Sequence, residues 1–251
     1  GRRRRRGWTG WWIGKTGFFW VGEHVEGGPP GELEPFGSMW STAEKAHNLG
    51  QAVSAFPLAE HARRARRGAT VKETQEESAA FFQGFSEVAA RDPENAWFPK
   101  AWSREELLEE SGENRMVGHP YRKRLNAVLT VDQGAAAVIL AAGEAERLGI
   151  PLEKWVFLHG GGDASEEFFS TERENIGGFP SAATAIHAAA ENAGVKDLPQ
   201  EIKHFNLYSC FPIAVKLAAD AIGVGPDRQL TVTGGLPYHG GPGANYALHG
   251  V

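Results

Sequence analysis

The stretch HFNLYSCFPIAVKLAADAIGV (204–224) joins a short apolar run to a helical pattern. His204 to Tyr208 predicts a buried strand, and Phe211 to Ile222 predicts a helix that follows it directly. Ser209 is placed to cap this helix, because its hydroxyl can accept a free backbone N–H. The only cysteine, Cys210, therefore falls at a strand-to-helix corner, where the helix dipole favours an anion such as a thiolate.

A glycine-rich stretch, QLTVTGGLPYHGGPGANY (229–246), follows this corner. Gln229 to Thr233 predicts a second strand, and Gly234 to Gly243 predicts a loop. Glycines let a backbone pass very close to a ligand or to another chain segment. Because α/β sheets usually bind ligands where neighbouring strands end, the corner and the loop together predict a binding site.

Upstream of the corner, predicted strands and helices alternate, which favours an α/β layered fold with right-handed crossovers. Residues 126–140 predict a strand, a turn and a small-residue run, of which 135–140 is assigned as a strand. Trp155 to His159 predicts a further strand. Helices are predicted for Ala142 to Leu148 and for Pro180 to Asn192.

The N-terminal side of the chain predicts mostly helices. Residues 42–67 predict a helix that is interrupted at Phe56-Pro57, and residues 74–90 predict a second helix. The second helix carries an apolar stripe that is typical of a core face: Ala80, Phe81, Phe85, Val88 and Ala89. Ser103 and Glu106 predict a capping box for a short helix at 105–110.

The first 35 residues contain five consecutive arginines followed by many tryptophans, phenylalanines and glycines. One interpretation is a basic, aromatic arm for nucleic acid or a membrane surface. The other is a loose chain end, or a place where a longer chain has been cut open. Charge runs are mostly solvated and chain ends mostly loose, which favours the second interpretation.

The composition excludes several classes of protein. The net charge is −5, from 26 basic and 31 acidic residues, so there is no general attraction to nucleic acid. A single cysteine excludes an internal disulfide framework and suits a reducing compartment. No apolar run reaches the roughly 20 residues that a membrane helix needs. We therefore expect a cytoplasmic protein with no membrane span and no nucleic-acid partner.

The order LYSCFP, a helix and then TGGLPYHGGPGANY resembles the C-terminal half of the thiolase superfamily. The resemblance is to sterol-carrier-type thiolases and to acetyl-CoA acetyltransferase-like or thiolase-like proteins. Residues 115–140, 141–151 and 179–195 resemble the segments that precede this corner. The resemblance covers about residues 36–251 and implies an incomplete thiolase-like layered αβα fold, with a helical insertion on its N-terminal side.

The resemblance also implies a division of the chain. Residues 1–35 are an irregular Arg/Trp-rich segment, and 36–125 are the helical insertion. Residues 126–150 end the N-terminal thiolase half, and 151–251 are a truncated C-terminal half. Thiolases carry an acylated cysteine upstream of the insertion and a second cysteine beyond the glycine-rich loop. Because neither cysteine is present, we expect a piece of a longer protein, inactive by itself.

The resemblance implies three catalytic candidates. Tyr208 stands where thiolases have the Asn or His that orders an oxyanion-hole water, and Cys210 matches a structural cysteine of the sterol-carrier pattern. Gly241 stands where the histidine of a Gly-His-Pro motif belongs, so His239 is the candidate acid, base or oxyanion donor. The alternatives are a buried small hydrophobe for Cys210 and a surface-loop histidine for His239. His249 is a weaker candidate.

The implied ligand is coenzyme A or an acyl-CoA, with no tightly bound cofactor. Arg63, Arg122 and Lys123 are candidates for its phosphates, with solvated surface positions as the alternative. The candidate backbone contacts are Gly234, Gly235, Gly240 and Gly241. The implied function is that of a thiolase-type acyl-CoA acyltransferase, an acetyl-CoA acetyltransferase-like protein that binds acyl-CoA thioesters in lipid or sterol metabolism, with a homodimer or a thiolase-like partner chain. The alternative is a non-catalytic CoA- or lipid-binding subunit of a heteromeric thiolase-like complex.

Two further alternatives depend on single residues. Ser209 or Cys210 at the corner could serve a hydrolase elbow, but LYSCFP lacks the flanking glycines of that turn. His159, Asp163 and His239 could form a metal cluster, although their spacing matches no known ligand pattern.

Overall fold

The computed structural model describes residues 10–14, 17–21, 40–167 and 169–251. The strands are β1 (Gly10–Gly14), β2 (Gly17–Val21), β3 (Met116–Gly118), β4 (Tyr121–Arg122) and β5 (Leu158–Asp163). The α-helices are α1 (Thr42–Ala46), α2 (Ala52–Arg67), α3 (Val71–Ala90), α4 (Arg104–Leu108), α5 (Ala142–Arg147), α6 (Pro180–Asn192), α7 (Leu198–Glu201) and α8 (Pro212–Ile222). Short 3-10 helices cover Lys123–Leu125, Leu152–Lys154, Ser170–Glu172 and Gly243–Gly250. Among the described residues, helices thus predominate over strands, and the presence of both is compatible with an α/β fold.

Three strands form a sheet in the order β2-β1-β5, and β3 pairs with β4 in a separate hairpin. In the three-stranded sheet, Trp12 lies opposite Phe19 on one side and Gly161 on the other. All of these described pairs are antiparallel, so the predicted crossovers are not seen among them. β1 and β2 fall inside the segment predicted to be irregular, whereas its arginine run lies outside the described residues.

Strand β5 corrects a predicted boundary. The sequence predicts a strand that ends at His159, whereas β5 runs from Leu158 to Asp163 and includes three glycines. A Cβ atom on Gly160 or Gly162 would collide with the backbone of α6. These glycines therefore continue the strand because they let a helix pack directly on it.

Helix α6 confirms its predicted bounds, beginning at Pro180 and ending at Asn192. Its predicted inward residues are all buried: Ala182, Ala185, Ile186 and Ala189. Gly194 has a φ of 72° just beyond the helix end, which glycine adopts more easily than other residues.

The predicted helix break at Phe56-Pro57 is wrong. α1 ends at Ala46, and α2 runs through Pro57 without interruption. A proline removes one helical hydrogen bond, here the one to the Val53 carbonyl. Gly118 of β3 packs against that carbonyl, where a larger residue would collide.

Capping signals were reliable guides to the remaining helices. The Ser103–Glu106 capping box is confirmed, although α4 covers Arg104–Leu108 and not 105–110. α3 begins earlier than predicted, after an equivalent box formed by Thr70 and Glu73. Of its predicted stripe, Phe81, Phe85, Val88 and Ala89 are buried, while Ala80 is half-buried.

Four predicted strands do not form, including the one expected at the start of residues 126–140. Residues 204–208 and 229–233 run past each other with a Leu207 N–H to Leu230 carbonyl bond of 2.9 Å, but without a regular ladder. Residues 135–140 have no regular structure, and Val138 and Ile139 are 82% and 84% exposed. No described strand pairs with residues 135–140, and among the described residues the side chains of Val138 and Ile139 are left largely uncovered.

The main core lies where α3, α6 and α8 meet the residues just before the corner, including Phe205 and Leu207. A second buried cluster surrounds the corner itself and contains Cys210, Phe211 and Tyr246. Among the described helices, none is both long and apolar enough to cross a membrane.

Candidate functional site

The corner and the glycine-rich loop lie side by side. The Leu236 N–H donates to Ser209 Oγ at 3.0 Å. Residues just after β4 run alongside both stretches: the Ala127 N–H donates to the Cys210 carbonyl at 3.0 Å, and the Val128 N–H donates to the Leu236 carbonyl at 3.2 Å. Ser209 therefore ties the corner to the loop and does not cap α8, whose first flanking residue is Phe211 without a side-chain cap. This corrects the predicted role of Ser209.

The four predicted loop glycines pack against other parts of the chain. Gly235 has a φ of 79°, and a Cβ there would collide with Phe85 and crowd Ser209 Oγ at 2.8 Å. Gly234 packs against Ala89, and Gly240 packs against Gln133 and Trp97. Gly241 packs against the Val128 carbonyl. The close approach that these glycines allow is thus to protein, which gives no support to their predicted contacts with coenzyme A.

Cys210 is 6% exposed, beside the hydroxyl of Tyr208. Burial raises the pKa of its thiol to about 12, although a hydrogen bond from Tyr208 acts in the opposite direction. The thiol is therefore protonated near neutral pH, in contrast to the thiolate favoured by the sequence position. This environment is that of a buried small hydrophobe and offers no support for a hydrolase nucleophile.

His239 lies in the protein interior, at 3% exposure, and not on a surface loop. Its Nε2 is 3.3 Å from Nδ1 of His249, and its ring meets Tyr246 edge-to-face at 6.2 Å. The Tyr246 hydroxyl in turn bonds Thr233 Oγ1 at 2.9 Å. Burial, and then the nearby His249, lower the pKa of His239, which keeps it neutral near pH 7.

An apolar cavity of about 350 Å³ opens beside the corner, with Tyr208 in its wall. Helices α2, α6 and α8 form most of the remaining wall, mainly through alanines. Sequence reasoning missed this cavity. A sequence pattern that could have indicated the cavity is a pair of alanines four residues apart on each of two helices: Ala55 with Ala59, and Ala214 with Ala218. Such pairs lie on one face of a helix, where small side chains leave room between packed helices.

A basic groove of about 330 Å³ adjoins this cavity. Arg63, Arg66 and Arg67 lie along it, at the C-terminal end of α2. The groove and the cavity share three lining residues: Gly178, Phe179 and Leu217. An apolar compartment and a cationic one therefore lie on either side of the same wall.

Arg63 is only 4% exposed and forms part of a buried ionic network. Its guanidinium donates to Glu77 at 2.9 Å and to Asp220 at 3.0 Å. These carboxylates occupy its donors, which leaves the more exposed Arg66 and Arg67 as the groove's solvent-facing cations. The predicted phosphate contact of Arg63 therefore has no geometric support.

The same network contains Lys216 of α8, which is fully buried. Its Nζ lies 3.1 Å from Glu60 and 3.2 Å from Glu77. The Tyr121 hydroxyl also donates to Glu60, at 2.6 Å. Sequence reasoning missed this cluster, because an isolated lysine in a helical pattern gives no sign of its partners.

Arg122 ends β4 and Lys123 begins the 3-10 helix that follows it, and neither residue lines the cavity or the groove. Arg122 pairs with Glu110 at 3.0 Å, while Lys123 is exposed. His159 is exposed on β5. Within the described ranges, no three His, Cys, Asp or Glu side chains converge as a metal site.

No family model and no curated protein matches the chain. A solved structure of a monomeric SCP2-thiolase like protein type 1 from Mycobacterium smegmatis is similar, with a TM-score of 0.76 and 39% identity. The match covers 85% of this chain and 46% of that one. An Ltp2-ChsH2(DUF35) aldolase is similar in fold, with a TM-score of 0.58, 15% identity, and coverage of 83% and 58%.

The chain thus spans about half the length of each of these two structures, at 46% and 58%. The match to the first covers most of the present chain, in agreement with the resemblance carried by the corner and loop motifs. The chain is related to the SCP2-thiolase-like proteins.

Proposed function

We propose that this chain is the part of a thiolase-like protein that binds an acyl-CoA thioester. The observation that carries the proposal is the wall shared by the apolar cavity and the basic groove, formed by Gly178, Phe179 and Leu217. An acyl-CoA has an apolar chain at one end and phosphates at the other. The two compartments match these two ends, and the thiolase resemblance of the corner and loop motifs implies the same ligand class.

The acyl chain occupies the cavity in this proposal. A volume of about 350 Å³ is within the range of small-molecule sites, roughly 300–1,000 Å³. Each methylene buried there contributes about 0.8 kcal/mol. Tyr208 lies in the cavity wall, with its hydroxyl hydrogen-bonded to Cys210.

The phosphates lie along the groove, beside Arg66 and Arg67. Arginine binds phosphate through paired N–H donors, and both side chains are exposed at the groove. Arg67 also pairs with Glu77 at 3.0 Å, so Arg66 carries the larger share of this role. The proposal concerns binding, since the protonated Cys210 does not supply the nucleophile that acyl transfer requires.

Isothermal titration calorimetry of the full chain tests this function with three probes: coenzyme A, decanoyl-CoA and decanoate. We expect decanoyl-CoA to bind more tightly than either part alone. Ala55→Leu narrows the cavity and weakens decanoyl-CoA binding about tenfold, roughly 1.4 kcal/mol. Ala52→Leu is the matched control, because Ala52 is exposed on the same helix outside the cavity.

Arg66→Glu tests the groove separately. It weakens both coenzyme A derivatives by at least tenfold, roughly 1.4 kcal/mol, and leaves decanoate binding unchanged. Arg115→Glu makes the same change at an exposed arginine outside the groove. Equal effects of the two charge reversals, or no heat with any probe from the folded chain, would contradict the proposal.

A second candidate function, a binding subunit in a heteromeric assembly, is favoured by exposed apolar residues between β4 and β5. We define the apolar strip as Leu129, Val138, Ile139, Leu140, Leu148, Leu152, Val156, Phe157 and Leu158, all exposed. Several of them are adjacent in the sequence, namely 138–140 and 156–158, and exposed apolar surface often marks an interaction site. The similar aldolase is a complex with a DUF35 protein. Co-purification with a thiolase-like chain, lost on changing Val138 and Ile139 to serine, would support this function.

A further inference from the structure

One part of the wall of the apolar cavity is polar. Besides Tyr208, three side chains that can donate hydrogen bonds line the cavity: Ser170, Arg173 and Ser181. The first two come from the connection between β5 and α6, and Ser181 lies in the first turn of α6. We define these three residues, together with Glu166, as the polar cluster. All four are half-buried.

Glu166 lies between Arg173 and the start of α6. Its Oε1 accepts from the Ser181 N–H at 3.4 Å, and its Oε2 lies 3.4 Å from Arg173 Nη1. Oε2 is buried and accepts no hydrogen bond from the described residues. A buried carboxylate oxygen without a hydrogen bond is rare in native proteins. The ion pair with Arg173 therefore leaves the polar cluster short of one hydrogen-bond donor.

Arg173 and the two serines hold donors that the described residues do not use. Arg173 Nε donates to the Glu167 carbonyl at 2.9 Å, which orients the guanidinium. Its Nη2 donates to no described residue, and the hydroxyls of Ser170 and Ser181 have no described partner either. The polar cluster thus combines free donors with one free acceptor, the Oε2 atom of Glu166.

From this arrangement we infer that the cavity selects an acyl chain that carries a hydroxyl group. A hydroxyl both donates and accepts, so it can donate to Glu166 Oε2 and accept from Arg173 or from a serine. An unsubstituted chain leaves these groups unpaired, and a ketone, which only accepts, still leaves Oε2 unpaired. A carboxylate would add a second negative charge beside Glu166, where Arg173 supplies a single positive charge.

The size of the preference follows from the exposure of the polar cluster. A fully buried site that hydrogen-bonds a ligand hydroxyl rejects the analogue without it by several orders of magnitude. The side chains of Glu166 and Arg173 are 12% and 28% exposed, so water partly replaces a missing hydroxyl. We therefore expect a preference of about tenfold. The inference rests on the proposed function, since it names the class of acyl chain that the cavity binds.

NMR titration of the nitrogen-15 labelled full chain measures this preference with N-acetylcysteamine thioesters, which carry an acyl chain without phosphates. The probes are the decanoyl, 3-hydroxydecanoyl, 10-hydroxydecanoyl and decanedioyl thioesters. We expect at least one hydroxylated thioester to bind about tenfold more tightly than the decanoyl thioester. Equal binding of the decanoyl and hydroxylated probes, tighter binding of the decanedioyl probe, or no binding of any probe would overturn the inference.

Arg173→Met removes the guanidinium from the polar cluster. We expect the two classes of thioester to bind equally to this variant, with decanoyl binding changed by no more than about twofold. Arg147→Met is the matched control, because Arg147 pairs with Glu144 on the surface and lines neither the cavity nor the groove. An equal loss for decanoyl and hydroxylated probes would show a structural role for Arg173 and overturn the inference.

Ser181→Ala is a second variant, which keeps the ion pair and removes only a hydroxyl. We expect it to lower the preference about threefold, and an unchanged preference in both variants would contradict the inference. The coenzyme A derivatives separate this inference from the proposed function. If they bind no more tightly than the simple thioesters while the hydroxyl preference is present, the proposed function fails and the inference about the cavity stands. If they bind more tightly but without a hydroxyl preference, the proposed function stands and the inference fails.

Discussion

The residues around the corner, 204–246, and those of the apolar strip, 129–158, both carry apolar runs that the sequence predicts as buried strands. Leu207 near the corner is completely buried, while Val138 in the strip is 82% exposed. Helix α3 supplies Phe82 and Phe85 as a covering layer for the corner, whereas no described element covers the strip. An apolar run is buried only when another layer faces it, whatever its own pattern.

The largest expected effect comes from breaking the ionic network beneath the corner. Lys216→Met removes the cation that faces Glu60 and Glu77 and leaves Glu60 buried with an unmatched charge. Breaking one side of a buried pair costs about 3–5 kcal/mol. Urea denaturation measures the loss. Lys72→Met is the control, since its pair with Glu76 is exposed, and a similar loss in both variants would contradict the expectation.

A smaller effect is expected where the loop packs against α3. Gly235→Ala introduces a side chain at a φ of 79° and against Phe85, so we expect a loss of about 1–3 kcal/mol in the free energy of unfolding. Gly194 has a similar φ of 72°, and no atom lies near a Cβ added there. Gly194→Ala therefore measures the free-energy cost of the backbone conformation without a steric collision. Gly235→Ala should therefore be the more destabilising of the two in thermal or urea unfolding. If the two losses are equal, the close packing of the loop contributes little.

The smallest effect is expected in the strip. Changing Val138 and Ile139 to serine alters the free energy of unfolding by no more than about 0.5 kcal/mol, because both are exposed. The same change lowers self-association measured by light scattering, since it reduces an exposed apolar surface. A loss above about 2 kcal/mol would show that the strip packs against protein, and the contrast with the corner would not hold.

Helices were predictable from local signals, because those signals act within a few residues. Pro180 and Gly194 mark the two ends of α6, and the Ser103–Glu106 capping box marks the start of α4. Pro57 lies inside α2 without ending it, and the Val53 carbonyl that loses its helical bond faces Gly118 of β3, far away in the sequence.

The candidate site was only partly predictable. The corner at Tyr208 and the glycine-rich loop were expected to be neighbours, and the Ser209–Leu236 hydrogen bond joins them. The cavity and the burial of His239 were not expected, since both depend on several elements at once. The ion pairs of Arg63 were also not predictable from the sequence, because its partners Glu77 and Asp220 lie on two other helices.

Helix ends, capping boxes and the order of the family motifs follow from residues that are close together along the chain, and they could be read without coordinates. Burial, charge pairing and the contacts of the glycines were decided by tertiary packing. The reason is physical: desolvation and ion-pair energies depend on which side chains face a group in three dimensions. The same kinds of residue therefore became a packed loop around Gly235 and an exposed strip around Val138.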